Sequence, residues 1–231
     1  MVVVQRNQEE YNLDLADIKM AKILSSKCKQ CRRAGEKLFL KGDRCSSPKC
    51  ALVRKAYAPG AHGNTEGMRR GFSEYGKQLA EKQKLKRIYG ISEKQLRRYL
   101  SLAKKKSGVL GDNLLILLES RLDNIVYRLG VAQSRSQARQ LVSHRAFSVN
   151  KKTLNVPSAL LRIGDKVTVK KNKLDKAFMK EAKTALKKSS TQAKWLSFDA
   201  GKMEGKVLAN PTKDEIGINV NMAMVIEFYS R

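Results

Sequence analysis

Four cysteines carry the clearest chemical signal in this sequence. Cys28 and Cys31 form a C-x2-C pair, Cys45 and Cys50 form a C-x4-C pair, and thirteen residues separate the two pairs. Each pair can hold one side of a tetrahedral metal ion, and four thiolates are typical of a closed structural zinc site with no open catalytic position. An iron–sulfur cluster takes the same ligands, and a redox pair or unliganded buried thiols are the non-metal alternatives. We expect a structural zinc knuckle.

Charge is the second signal. The chain has 231 residues, with 48 lysines and arginines against 21 aspartates and glutamates, so the net charge is +27. Residues 20–194 carry +30, whereas residues 1–19 and 195–231 carry −2 and −1. Such a surplus opposes folding by self-repulsion and is normally neutralised by a polyanion. A basic surplus spread through segments that look folded favours nucleic acid over a membrane surface as the partner.

The sequence also excludes several classes of protein. No stretch approaches the roughly 18 apolar residues of a membrane-spanning helix, and no apolar run is longer than Leu114–Leu118. The N-terminus lacks the pattern of a secretory signal. The sequence has no P-loop, no G-x-G-x-x-G and no nucleophile–histidine set outside the cysteine segment. We expect a soluble intracellular protein with no enzymatic activity, no small-molecule substrate and no membrane partner. Two less favoured alternatives stay open: an enzyme carrying an RNA-binding module, and a free regulatory RNA-binding protein.

Two helices are predicted after a glycine-rich loop at residues 57–71. The first runs from Phe72 to Tyr89 and ends at Gly90, with Tyr75 on its apolar face. The second begins with a capping box at residues 92–95. Its apolar face carries Leu96, Tyr99, Leu100 and Ala103.

A second unit follows, with a different pattern. One long helix is predicted from Asp112 to Leu129, and a short one begins at Ser134 or Ser136. Residues 147–149 and 166–170 alternate as strands, so this unit is α+β. Residues 174–194 are predicted to be helical, and the apolar positions of residues 216–229 predict that the end of the chain packs onto a core.

Several motifs occur in order along the chain from about residue 20 to its end. They are CKQCRR at 28–33, GEKLFLKG at 35–42, YAPGAHG at 57–63, EKQKLKRIYGI at 81–91, LESRLDN at 118–124, SR at 134–135 with ARQLV at 138–142, and VIEFYSR at 225–231. With these motifs the chain resembles the S-four family of small-subunit ribosomal proteins from bacteria and organelles.

The resemblance implies an α+β fold: a mainly helical first domain with an N-terminal zinc knuckle, interrupted by an inserted α+β RNA-binding domain. The implied divisions are residues 1–19 as an extension or mis-assigned start, 20–56 as the zinc-binding knuckle, 57–110 with 205–231 as the helical rRNA-binding domain, and 111–204 as the inserted domain. We expect the translated protein to begin near Met20 or Ala21.

The resemblance also implies a function. A member of this family is expected to bind 16S-type rRNA directly at a multi-helix junction, to nucleate assembly of the subunit body and to contribute to translational accuracy. The implied partners are that rRNA, small-subunit proteins of the S-five and S-twelve types and, for some members, their own operon messenger RNA. The implied location is the small subunit of a cytoplasmic or organellar ribosome.

Site residues carry over by the same resemblance. The four cysteines match the ligands of the metal-bearing branch of the family. An RNA-binding surface on two helices is expected at Ser120, Arg121, Asn124, Arg128, Ser134, Arg135, Gln137, Arg139 and Gln140. Arginines on consecutive helical turns can fork onto phosphate oxygens, and a serine-capped helix start offers free N–H groups. The alternative for the four arginines is an ion pair with Glu119 or Asp123.

Further RNA-binding candidates come from the basic segments around the cysteines, the glycine-rich loop and the first two long helices. They are Arg32, Arg33, Arg44, Lys49, Arg54, Lys55, Tyr57, His62, Arg69, Arg70, Lys82, Lys84, Lys86, Arg87, Arg97 and Arg98. Replacing Arg135 and Arg139 together is expected to weaken RNA binding without unfolding the chain.

The chain departs from the family pattern at two places around one predicted strand. Lys151 follows Asn150 where the family often has glycine, which challenges the usual Asn-Gly hairpin. Arg145 and Ala146 stand where the family often has Gly-His, so RNA contacts are not transferred to these two residues.

Overall fold

The computed structural model describes residues 25–64, 73–174, 176, 179, 183–184 and 193–230. In these ranges the helices are α1 (Lys27–Ala34), α2 (Ala51–Arg54), α3 (Glu74–Tyr89), α4 (Glu93–Lys104), α5 (Leu110–Glu119), α6 (Leu122–Arg128), α7 (Arg135–Ser143), α8 (Lys171–Leu174), α9 (Lys213–Ile216) and α10 (Met222–Ser230). The strands are β1 (Phe147–Val149), β2 (Lys152–Thr153), β3 (Lys166–Val169), β4 (Leu196–Asp199) and β5 (Glu204–Val207), and a 3₁₀ turn spans Gly42–Cys45.

The two helices predicted around Gly90 are confirmed. The Ser73 hydroxyl accepts a hydrogen bond from the backbone of Gly76 at the start of α3, and Gly90 ends that helix at a φ of 63°. The capping box that opens α4 is present, with both reciprocal hydrogen bonds of Ser92 and Gln95. Tyr75 was expected on the apolar face of α3, but the structure leaves it 51% exposed.

The long helix predicted from Asp112 to Leu129 is wrong: it is two helices. α5 ends at Glu119 and α6 begins at Leu122. Between them the backbone N–H of Leu122 donates to the carbonyl of Ala159, and that of Leu161 donates to Ser120. The helix breaks because this segment exchanges helical hydrogen bonds for pairing with residues 159–161.

An antiparallel sheet completes the second unit, with strand order β2-β1-β3-β5-β4. The two predicted strands are present as β1 and β3. The two-residue strand β2 was not predicted, and neither were β4 and β5. Both are four residues long, and their alternation is interrupted by charged and glycine residues. Most of the predicted helix at 174–194 lies outside the described residues.

Apolar side chains form two clusters. The helical cluster combines α3, α4, α5 and α10, with Leu85, Leu96, Leu114 and Val225 among its most buried members. It confirms that the end of the chain packs onto a core.

The sheet cluster combines α6, α7 and the inner face of the sheet. The chain thus passes from the helical to the sheet cluster at residues 119–122 and returns between residues 207 and 216. α5 packs in the helical cluster, although the implied division at residue 111 places most of it in the inserted domain. β5 packs in the sheet cluster, although the implied division at residue 205 places most of it in the helical domain. The packing therefore changes at later residues than those divisions on both passages.

No helix in the described ranges is long and apolar enough to cross a membrane.

The hairpin between β1 and β2 keeps its usual geometry in spite of Lys151. Asn150 and Lys151 have φ values of 48° and 69°, which a type I′ turn requires at both central residues. Asn150 suits this conformation, and its side-chain amide donates to Asp165 at 2.9 Å. A lysine at positive φ is strained by its Cβ, so this turn contains local backbone strain.

We predict that Lys151→Gly increases the free energy of unfolding by about 0.5–1 kcal/mol, because glycine adopts a positive φ without steric cost. Urea denaturation measures the change. Lys152→Gly is the matched control, since Lys152 lies in β2 and glycine there is expected to destabilise the fold. A destabilised Lys151→Gly variant would contradict the argument from strain.

Candidate nucleic-acid interface

The four cysteines meet at one small cavity, which is also lined by Leu40, Lys41 and Arg44. α1 and the following helix-turn segments carry the thiols there, and all four are free of disulfide bonds. The backbone N–H of Lys41 donates to Cys45 Sγ at 3.3 Å. Burial raises the pKa of the Cys31 thiol, and a hydrogen bond from the Leu38 backbone opposes that rise.

Four thiols that line one cavity do not by themselves make a metal site. Within the described ranges, no group of three or more histidine, cysteine, aspartate or glutamate side chains has an arrangement able to hold a metal ion. The donor chemistry is nevertheless that of a zinc knuckle, because the thiols are four in number and one backbone N–H already points at a sulfur. Zinc binding stays a prediction.

The surface around this cavity is strongly basic. Arg33, Arg44, Lys49, Arg54 and Lys55 are exposed. These five predicted residues lie where an incoming phosphate can reach them.

Arg32 and Tyr57, also predicted to contact RNA, contact each other. Arg32 Nε and Nη2 donate to the carbonyls of Tyr57 and Ala58 at 2.9 and 3.1 Å, and the guanidinium stacks on the Tyr57 ring at 4.7 Å. Arg32 therefore anchors the glycine-rich loop to α1. His62 is exposed on that loop, and Arg69 and Arg70 lie outside the described residues.

Three lysines of α3 face carboxylates of the protein itself. Lys82 is buried, with its Nζ 3.3 Å from Glu93 and 4.1 Å from the Phe228 ring centre. Lys86 Nζ lies 2.7 Å from the same Glu93. The predicted RNA contact of Lys82 is corrected, since a buried lysine must be paired internally. Lys86 is half-buried and shares that partner.

Lys84 is corrected for the same reason. It is buried, and its Nζ lies 2.6 Å from Glu36 and 3.4 Å from Glu81. Every lysine of α3 is equally compatible with a solvent-exposed position from its sequence neighbours. The sequence around Lys84 therefore gives no sign that this lysine is buried.

Other predicted cations of the helical unit keep solvent access. Arg97 and Arg98 are exposed on α4. Arg97 Nε lies 3.8 Å from Glu93, near the upper limit of an ion-pair distance. Arg87 is half-buried, and burial together with the charge of nearby Arg33 lowers its pKa. Two guanidinium groups of like charge at one place attract an anion.

The predicted two-helix surface contains residues that lie inside the protein. Arg121 is 0% exposed: its Nε and Nη2 donate to the Asp123 carboxylate at 3.0 and 2.6 Å, and its Nη1 donates to the Tyr99 hydroxyl at 2.7 Å. Asn124 is also buried, between Glu119 and Arg135. The RNA-contact prediction is corrected for Arg121 and Asn124, and the ion-pair alternative is confirmed for Arg121.

Arg128, Arg135 and Arg139 are also paired internally. Arg128 binds both oxygens of Glu119 at 2.9 and 3.0 Å, Arg135 Nε donates to Asn124, and Arg139 lies 3.8 Å from Asp123. Their side chains keep 19%, 14% and 18% exposure. Only the edges of these guanidinium groups can meet RNA, and replacing Arg135 and Arg139 together is now expected to destabilise the fold as well.

Of four other predicted polar residues, three make hydrogen bonds within the chain and one is exposed, so their RNA contacts stay predictions. The Ser134 hydroxyl caps α7 by accepting from Gln137, and the Ser120 hydroxyl donates to the Ile116 carbonyl. The Gln137 side chain accepts from the backbone of Gln133, whereas Gln140 is exposed. Ser134, rather than Ser136, is the N-cap of α7.

Three exposed cations at the two ends of β1 were not among the predicted RNA-binding residues. Arg145 has a φ of 56° and precedes β1, while Lys151 and Lys152 follow it at the hairpin. All three are exposed. The signal in the sequence was the replacement of two expected glycines by cations.

Taken together, the described residues form an α+β protein with basic faces on both units, which is the organisation of a nucleic-acid-binding protein. Comparison with known proteins specifies the family. Residues 22–119 match the ribosomal protein S4/S9 N-terminal domain, and residues 120–167 match the S4 domain.

The relatives include several proteins named small ribosomal subunit protein uS4. The one from Syntrophomonas wolfei is 53% identical over 212 residues, which cover 92% of this chain and 100% of that relative. Those from Caldicellulosiruptor bescii and Acetivibrio thermocellus are 49% and 47% identical over the same coverage. The chain belongs to the ribosomal protein uS4 family, and as a ribosomal protein it is structural rather than enzymatic.

We predict that Glu93 makes the fold sensitive to acid. Burial disfavours its charge, but hydrogen bonds from Lys86, Tyr229 and Lys82 outweigh burial and lower the pKa of Glu93 from 4.5 to about 2. A depressed pKa in the folded state stabilises the fold above the unfolded value, and this contribution is lost as pH falls from 4.5 towards 2. The free-energy difference between the protein and Glu93→Gln is expected to shrink across that range.

Urea denaturation at a series of pH values measures this difference. Glu74→Gln is the control, because the exposed Glu74–Lys77 pair contributes little at any pH. If the difference in the free energy of unfolding between the protein and Glu93→Gln stays constant from pH 5 to about 2, the charge of Glu93 does not stabilise the fold.

Proposed function

We propose that this protein is a structural constituent of the small ribosomal subunit and binds 16S-type rRNA directly. The observation that carries the proposal is membership of the uS4 family in a chain with a net charge of +27. Related chains named small ribosomal subunit protein uS4 match it over their whole length. The proposed location is therefore the small ribosomal subunit in the bacterial cytoplasm.

The exposed cations define how the RNA is bound. One group surrounds the cysteine cavity, and a second lies on α4 at Arg97 and Arg98. Arginine forks and lysine ammonium groups bind phosphate oxygens whatever the base sequence. Side chains cannot read the deep groove of folded RNA, so recognition rests on shape and phosphate contacts.

The family resemblance extends this proposal to the ribosome as an assembly. The protein nucleates the subunit body at a multi-helix rRNA junction and contributes to translational accuracy. Its protein neighbours are of the S-five and S-twelve types, and its own operon messenger RNA is a further partner. The observation that supports a nucleating role is the presence of basic faces on both units of one chain.

The four cysteines are proposed to hold a structural zinc ion, with an iron–sulfur cluster as the alternative occupant. Their thiols already line one cavity, and hydrogen bonds from the Lys41 and Leu38 backbones reach two of the sulfurs. Bound metal would join α1 to the segment at residues 42–50 and hold the basic surface around the cavity in place. The ion supplies crosslinking and no catalysis.

We predict a steep salt dependence of RNA binding. Each neutralised phosphate contributes roughly −0.7 to −0.9 to the slope of log affinity against log salt, so several contacts give a slope steeper than about −3. Filter binding to a 16S-type rRNA transcript across a potassium chloride series measures it. Arg54→Gln with Lys55→Gln is expected to make the slope shallower by roughly 1 to 2.

Lys77→Gln serves as the control, because exposed Lys77 lies 3.3 Å from Glu74 and is paired within the protein. A parent slope shallower than about −3 would contradict binding through many phosphates. An unchanged slope in the Arg54/Lys55 variant would remove those two residues from the interface.

Metal content tests the knuckle. Purified protein is expected to contain one equivalent of zinc by mass spectrometry of its metals, and Cys28→Ser and Cys50→Ser are expected to lose it because a tetrathiolate site needs all four ligands. Ser46→Ala, an exposed neighbour, is the control. Iron with sulfide in place of zinc would identify a cluster, and the absence of both would refute a metal site.

A further inference from the structure

Glu119 is a completely buried carboxylate at the point where the chain leaves one apolar cluster for the other. It is the last residue of α5 and is 0% exposed. Leu118 before it belongs to the helical cluster, and Leu122 after it belongs to the sheet cluster. A buried carboxylate is unfavourable unless charge and hydrogen bonds satisfy it, so its partners reveal what it holds together.

The partners of Glu119 come from both sides of this passage. Tyr89 of α3 donates its hydroxyl to Oε1 at 2.6 Å. Asn124 donates to Oε2 at 2.7 Å, and Arg128 donates to both oxygens at 2.9 and 3.0 Å. Arg135 Nη2 lies 3.7 Å from Oε1. One side chain thus joins α3 to α6 and α7.

The returning chain is attached to the same place. Arg128 Nη2, which binds Glu119, also donates to the carbonyl of Ile216 at 2.8 Å. The Arg135 guanidinium stacks between Tyr89 at 5.0 Å and Tyr127 at 4.5 Å. Both passages between the two clusters therefore contact the Glu119 network.

A second buried carboxylate makes a parallel connection. Asp123 pairs with Arg121, whose Nη1 donates to the Tyr99 hydroxyl of α4. Arg139 of α7, 3.8 Å from Asp123, donates to the Gly90 carbonyl between α3 and α4. With two such connections, one at Glu119 and one at Asp123, the sheet unit cannot rotate on the helical unit about a single point of attachment.

We propose that Glu119 is a positioning residue that sets the orientation of the sheet unit on the helical unit, so that their basic faces meet RNA as one rigid surface. Hydrogen bonds and ion pairs are directional, whereas apolar packing tolerates sliding. Burial opposes the charge of Glu119, but the hydrogen bonds and charge of Arg128, with Arg135, lower its pKa, so it remains an anion. The proposal relies on the proposed RNA binding for its affinity readout and not for the orientation itself.

Residual dipolar couplings of backbone amides test the orientation, because each rigid unit reports its own alignment tensor. The first variant is Glu119→Gln, which keeps the size of the side chain and removes its charge. The second is Tyr89→Phe, which removes only the hydroxyl donated from α3 and keeps the ring that stacks on Arg135. Tyr75→Phe, an exposed tyrosine of the same helix, is the control.

We expect the protein and Tyr75→Phe to fit one common tensor for both units. Glu119→Gln is expected to need two different tensors and to bind a 16S-type rRNA transcript at least tenfold more weakly. Tyr89→Phe is expected to show the same changes to a smaller degree. If Glu119→Gln fails to fold, Tyr89→Phe decides alone.

Tensors that stay equal in the folded variants would overturn the proposal, with or without a loss of affinity. Different tensors with unchanged affinity would overturn it as well, since the orientation would then be irrelevant to RNA. If the unmodified protein fails to bind the transcript, the proposed function fails, while the tensor comparison still reports on the junction.

Discussion

The ion pair between Glu119 and Arg128 is the interaction on which the arrangement of this protein depends. It forms only because the helix breaks after Glu119, where residues 120–122 pair with residues 159–161 instead of continuing the helix. Replacing a buried pair by apolar groups is often neutral for stability, whereas removing one partner costs about 3–5 kcal/mol. The contribution of this pair is therefore mainly to geometry: it selects one arrangement of two clusters that apolar packing alone does not define.

Acidic residues decide which cations of this chain face solvent. A few carboxylates, at Glu36, Glu93, Glu119 and Asp123, draw nearby lysines and arginines into internal pairs. Cations around the cysteine cavity and near β1 stay exposed, and so does Arg97 on α4, although its Nε lies 3.8 Å from Glu93. The same residue types thus perform two tasks, crosslinking the fold and binding polyanion, and the acids separate the two sets.

Two of the exposed cations lie at positions of backbone strain. Arg145 and Lys151 adopt positive φ values that glycine would tolerate better, and they present cations to solvent at opposite ends of β1. Backbone strain persists only where surrounding structure imposes it. Here the Asn150 side chain, bonded to Asp165 and to the Lys166 backbone, holds the turn whatever residue follows.

Some features of this protein follow from residues that lie close together in the sequence. The cap at Ser92 and the end of α3 at Gly90 depend on residues within a few positions, so they could be predicted. The family could be predicted from motifs that occur in order along the chain. The split between α5 and α6, the strands β4 and β5 and the burial of Arg121 depend on residues distant in the chain. An arginine suits a phosphate or a carboxylate equally until folding brings one of them within hydrogen-bond distance. Which arginines hold the protein together depends on the folded chain, because folding brings Glu119 and Asp123 beside them.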